Sequence, residues 1–494
     1  MHTQEIKKVV IAGGGTAGWM AAASLSKLIG KNLDISLIES DDIPTVGVGE
    51  ATIPSLLTIN RLLKIPEPDF LKAAQGTFKL GIAFENWRRP GHRYIHSFGD
   101  TGKGCWAGGF HNFWLKGLSK GMSRPYGEYC AELMAAEENR FAVLSQQKLN
   151  YAYHIDAGLY GGFLRQIAEK HGVLRIEGKI EHVKCRESDG YIESLKLQSG
   201  QVVDGDLFID CTGFRGLLIE QALNTGFDDW SQWLPCDSAQ AVQTESVGPP
   251  IPYTRSIARS AGWQWRIPLQ HRVGNGMVYC SQYMSDDEAA QTLLDNVVGA
   301  TITEPRVIKY QTGQRKQYWN KNCIAMGLAS GFVEPLESTS IHMIQNAILW
   351  LMLMFPHQGI TPSIVEEYNA KLKDEAHHIR DFIIMHYHVT ERDDSEFWNY
   401  CRTMSIPDSL QHRLDLFRET GKVFKPQDDV FAENSWVQVM MGQGIVPEQY
   451  HPIVDMMSDN ELAAFLDGIE GEVKQVVSNL PRHEEFISRY CKAT

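Results

Sequence analysis

Six residues constrain this chain more than any others. Gly13-Gly14-Gly15-Thr16-Ala17-Gly18 follow an apolar run at residues 9–12 and open a helical pattern at 17–28. A second strand-like run, Asp34–Glu39, ends on an acidic residue about 20 positions beyond Gly18. Strand, glycine turn, helix and strand make a β-α-β opening. Glycines at 13, 15 and 18 permit a tight turn, close backbone approach to a pyrophosphate and close helix packing. Thr16 and Ala17 bring free N–H groups at the helix start, and Glu39 can accept from ribose hydroxyls. A glycine-rich loop alone says little; here strand, helix and acidic residue are all in register.

Composition narrows the rest. The chain has 494 residues, long for one core, with 43% hydrophobic and 22% charged residues. A net charge of −13 with no basic stripe argues against nucleic acid. Nine scattered cysteines contain no CxxC pair, which fits reduced thiols and a cytoplasmic setting. The N-terminus runs into the first strand without a signal-peptide core. The longest apolar run, 347–355, is too short for a bilayer and reads as a buried helix.

A helical stretch at 163–171, strand-like segments at 180–186 and 191–198 and a strand at Leu207–Asp210 form a second block. A strand at 323–326 leads through a glycine-rich turn to a helix beginning near Ser338. Beyond about residue 360 the pattern is mainly helical and aromatic-rich. The expected organisation is a discontinuous nucleotide domain over 1–360, with inserted substrate-site segments, and a helical substrate module over 361–494.

Several residues admit two readings. Phe78, Leu80, Ile82 and Phe84 alternate with Thr77, Lys79, Gly81 and Ala83, as in a strand with one apolar face. Spacing alone makes Lys79 a solvated strand lysine; if its face lined an interior channel, desolvation would lower its pKa. Glu337 precedes a helix whose first turn holds Ser338, Thr339 and Ser340, where a carboxylate is ordinary. Trp263 and Trp265 alternate on a strand and read as core aromatics. His377, His378, His386 and His388, near Asp393 and Asp394, match no standard metal-ligand spacing and read as surface or packing histidines, with no metal expected.

Two further motifs resemble p-hydroxybenzoate hydroxylase-like flavoproteins: Leu207-Phe208-Ile209-Asp210-Cys211-Thr212-Gly213, and the strand and turn from Cys323 through Gly327 to Gly331. With the opening motif they imply an α/β fold with a Rossmann-type FAD-binding domain. No second strand-preceded GxGxxG marks an NAD(P)H site, so reduced flavin would come from elsewhere. The resemblance then becomes narrower. Trp263-Gln264-Trp265-Arg266-Ile267-Pro268 matches the WxWxIP signature of the flavin-dependent tryptophan halogenase family. Lys79, the segment Gly331 to Thr339 and Gly47-Val48-Gly49-Glu50 match that family's lysine, catalytic segment and flavin-side loop.

The resemblance implies a defined reaction. FADH2 from a separate flavin reductase and O2 give a flavin hydroperoxide. Chloride or bromide, held by N–H groups of Thr339 and Ser340, is oxidised to hypohalous acid, which reaches Lys79. Lys79 delivers the halogen to a small electron-rich aromatic ring, and Glu337 assists loss of the ring proton. Gly49, Glu50, Gly213, Gly327 and Leu336 are implied beside the cofactor. Trp263 and Trp265 shield the flavin side, and His96, Phe98 and Trp436 lie near the substrate. The family has glycine where this chain has Ser340, which bears on chloride against bromide. The stretch from Gly421 to Glu433 lacks the Tyr-Tyr and Phe-Trp pairs of members acting on free tryptophan, so indole or a larger indole-bearing molecule is expected instead. An aromatic monooxygenase or a halogenase of carrier-bound substrates are the alternatives, and a homodimer is an open expectation.

Overall fold

The computed structural model describes residues 5–43, 49–143, 149–424 and 429–493. Its centre is a six-stranded sheet in the order Trp319–Asn320, Cys323–Ala325, Leu207–Asp210, Lys8–Ala12, Asp34–Glu39, Leu174–Glu177. Only the edge strand Trp319–Asn320 is antiparallel. The inner strands, Val9 to Ala12, Leu207 to Ile209 and Cys323 to Ala325, are fully buried apolar runs, as parallel strands covered on both faces must be. Chain segments far apart in sequence therefore meet side by side, as the three separated motifs require.

The helix Thr16–Leu28 buries Ala21, Ala22 and Ala23 and packs on the helix Ala157–Lys170. A second, seven-stranded sheet contains the strand Gly262–Pro268 and, at its end, Gly81–Glu85 and Arg93–Ser97. Helices follow from Pro362–His388 onward, a 27-residue helix opened by proline at its first turn. One apolar cluster runs from Ile6 to Cys491, so these helices share the core of the sheets. No helix among the described residues is long and apolar enough to cross a membrane.

Two local expectations are corrected. The run 77–84 is not one strand with a polar face. It breaks at Leu80, whose N–H donates to Pro252 O (2.7 Å), leaving Thr77–Lys79 in a small sheet with Ala152–Ile155 and Gly81–Glu85 in the large one. Both faces of the run are buried. The helix expected near Ser338 begins at Ser340 instead; Ser338 has φ 62°, a left-handed conformation that ends the short turn Pro335–Glu337.

Candidate active site

A cavity of about 630 Å³ opens at the carboxyl ends of the parallel strands. Gly13, Gly15, Thr16, Ala17, Glu39, Gly49, Glu50, Gly213 and Gly327 line it, as do Trp263, Trp265, Ser338 and Ser340; three sulfur-bearing residues, Cys211, Met326 and Met343, share the wall. Gly47 and Val48 lie outside the described residues. Gly13 has φ 108°, and a Cβ there would stand 2.2 Å from Cys211 O; one on Gly18 would stand 1.9 Å from Gly13 O. These two glycines make the turn and the helix contact possible, and Gly18 does not itself line the cavity. At Gly15 an added Cβ would meet nothing within 4 Å, so this backbone is open to a ligand. The first N–H groups of the helix after it have no carbonyl partner within the helix. Asp210 shapes the neighbouring turn by accepting from Thr212 N and Oγ1 and from Leu218 and Ile219 N. Glu39 pairs with Arg175 (2.6 Å). Glu50, half-buried on the cavity wall, is pushed up to about 7 by desolvation. The donor set and open backbone fit the pyrophosphate and ribose of FAD.

Lys79 and Glu337 are buried near that wall, the carboxyl close enough for its charge to act on the lysine. Lys79 is 0% exposed, and its Nζ donates to Thr52 O (3.0 Å) and Ser338 Oγ (2.8 Å), 5.1 Å from the Phe98 ring centre. The solvated-lysine reading is thus overturned: burial lowers its pKa to about 7, even though Glu337 pulls the other way. Glu337 is also buried, between two histidines. His96 Nδ1 lies 2.9 Å from Oε2, and His386 Nε2 lies 2.8 Å from Oε1, close as an ion pair but out of hydrogen-bond alignment. Burial alone would raise this carboxyl; His96 and His386 outweigh it and hold it at about 2. Tyr94, on the same face of its strand as His96, places its hydroxyl 3.1 Å from His386 Nδ1.

Around His96 the walls are aromatic. Phe382 stacks on Phe431 at 3.8 Å and meets Trp436 edge-on at 4.7 Å, while Arg413 lies 3.9 Å over Trp436. His96 Nε2 and Trp436 Nε1 have no hydrogen-bond partner among the described residues.

Sequence reasoning missed several of these roles. His386 is a packing histidine rather than a surface one, 0% exposed and stacked on Phe84, and beyond that it faces Glu337. Tyr94, Thr52 and Glu334 also went unremarked, although Glu334 sits in the same short segment as Glu337. Trp263 and Trp265 are buried, as core aromatics are, and both also line the cavity. Leu336 is buried and does not line the cavity, and neither does Thr339, whereas Ser340 does.

A dinucleotide cavity at the carboxyl ends of a parallel sheet, with Lys79 and Glu337 buried nearby, defines a flavoprotein. A family model described as tryptophan halogenase matches residues 8–459. Xcc4156, a flavin-dependent halogenase from Xanthomonas campestris, is 56% identical with a TM-score of 0.98, covering 99% of each chain. BrvH, a flavin-dependent halogenase from Brevundimonas sp. BAL3, is 41% identical with a TM-score of 0.94 and the same coverage. Tryptophan 7-halogenase RebH from Lentzea aerocolonigenes is 33% identical over 98% of each chain. The chain belongs to the tryptophan halogenase family and is a flavin-dependent halogenase, an enzyme that uses FADH2, halide and O2.

Proposed function

We propose that this enzyme chlorinates or brominates an electron-rich, indole-type ring at Lys79, with Glu337 as the base. Indole or a larger indole-bearing molecule is its substrate in preference to free tryptophan. The observation that carries the reading is the burial of Lys79 beside Glu337, one wall away from the dinucleotide cavity. Bound FADH2, supplied by a separate flavin reductase, provides with O2 the oxidising equivalents that turn halide into hypohalous acid. Gly13, Gly15, Thr16, Ala17 and Glu39 would hold its pyrophosphate and ribose, and the helix-start N–H groups of Thr339 and Ser340 would hold the halide.

A lysine titrating near 7 is partly neutral at physiological pH. Its amine takes the halogen from hypohalous acid and releases water. The ring then takes the halogen from nitrogen, and its proton leaves to Glu337 and returns to Lys79. Glu337 is suited to stabilising the cationic ring because it stays ionised while dry. Regioselectivity comes from where the aromatic walls hold the ring relative to Lys79. The missing tyrosine and Phe-Trp pairs between Gly421 and Glu433 support a site without an amino-acid grip.

Lys79→Ala tests the catalytic assignment: product should vanish while FAD binding persists, and halogenated product from that variant overturns it. Turnover of indole against tryptophan tests the substrate, with a clear preference for tryptophan counting against the proposal. Halide-independent hydroxylation would instead support the monooxygenase alternative.

A further inference from the structure

Three residues before Glu337, on the approach to the same turn, stands a second buried carboxyl with no part in the reaction above. Glu334 is 0% exposed. A single oxygen, Oε2, accepts both of its hydrogen bonds, from Trp263 Nε1 at 2.9 Å and from the Tyr387 hydroxyl. The other oxygen, Oε1, is buried without a partner among the described residues. With only neutral donors around it, burial dominates and raises the group to about 7.

The two partners belong to different halves of the site. Trp263 forms part of the cavity wall. Tyr387 adjoins His386, whose Nε2 lies 2.8 Å from Glu337. Trp87 fills the space between them, its ring centre 6.5 Å from Trp263, 5.2 Å from Tyr387 and 6.0 Å from His386. Glu334 thus accepts both from the wall and from the helix that carries the histidine.

We propose that Glu334 is a positioning residue: by holding Trp263 and Tyr387 on one oxygen, it fixes the wall between the cavity and the ring site against the His386–Glu337 contact. The proposal rests on the halogenation reading. Formation of the oxidant does not depend on Glu334, but the fraction of oxidant that ends on the ring does. Displacements of about 1 Å in such a constellation suffice to lose large factors in rate.

The test uses the full-length enzyme with FAD, a flavin reductase, NADH, bromide and catalase, and indole as the ring probe. Mass spectrometry gives bromoindole formed per NADH consumed, and a freely diffusing β-diketone in parallel runs traps oxidant that escapes. Glu334→Leu and Tyr387→Phe should each lower bromoindole per NADH about ten-fold, with trapped oxidant rising and FAD affinity unchanged. Tyr387→Phe keeps the ring packing and loses only the hydroxyl, so it reads out even where Glu334→Leu fails to fold. Glu334→Gln should restore near wild-type yield, because its amide oxygen can occupy the place of Oε2. A wild-type yield in Tyr387→Phe, or a Gln variant as poor as the Leu variant, overturns the proposal. Bromoindole formed by Lys79→Ala sinks the halogenation reading itself, and is scored separately.

Discussion

Glu334 and Glu337 are the same residue type, three positions apart and equally buried, yet their environments push them in opposite directions. Glu337 lies between His96 and His386 and is held at about 2. Glu334 meets an indole N–H and a phenol and rises to about 7. Burial acts alike on both; what differs is that His96, and to a lesser degree His386, favours the anion, although burial lowers the pKa of His386 itself. The lesson is that a carboxylate buried beside histidines stays an anion fit to face a cation, while one buried beside neutral donors becomes a clamp. Adjacent residues of one helix, His386 and Tyr387, supply the two environments.

The largest expected effect separates the pair directly. Glu337→Gln should cut ring bromination about 100-fold or more, through loss of the base and its charge. Glu334→Gln should leave it within a factor of about two, since both hydrogen bonds survive. Equal losses in the two would erase the distinction.

Removing one histidine should move Glu337 toward its neighbour. In His386→Asn, the carboxyl loses part of what holds it down, so the acid limb of the rate profile shifts to higher pH. Bromoindole formation at neutral pH falls about ten-fold. An unshifted acid limb would place the stabilisation on His96 alone.

Stability against pH should show mirror-image behaviour. The raised pKa of Glu334 means that no cost is present below about 4.5, and that destabilisation grows until about pH 7, to about 3 kcal/mol at most. Going from pH 5 to pH 8, the urea midpoint of the wild type should therefore fall relative to that of Glu334→Gln, with the two close together at pH 5. Glu337 contributes stability above 4.5 that is lost as pH falls toward 2. A Glu334→Gln variant tracking the wild type at both pH values would contradict the neutral-clamp description. Smallest is Ser338→Gly: relief of the left-handed φ, about 1 kcal/mol, is set against the lost bond to Lys79, leaving the midpoint nearly unchanged.

The nucleotide half of the molecule was legible because its signals are local. The strand, glycine turn and helix from Lys8 to Leu28 fall within a residue of their expected bounds. Lys79 was not legible from spacing, since alternation predicts a single strand with a wet face. The break at Leu80 depends on Pro252, and the burial of Lys79 depends on Thr52 and Ser338, all distant in sequence. His386 looks like any histidine on a helix until the fold brings Glu337 to it. Family motifs pointed to Lys79 and Glu337; only the fold supplied the groups that set their protonation.

The sulfur atoms on the cavity wall set a limit on service life. Hypohalous acid, if formed there as proposed, would have Met326 and Met343 within the same cavity wall, and thioethers are readily oxidised to sulfoxides. Cys211, its thiol pushed far up by burial, is the less reactive of the three. Each oxygen added would turn an apolar side chain of the wall into a polar one. The enzyme should therefore age by turnover rather than by time, and most slowly when a good ring substrate is there to consume the halogen.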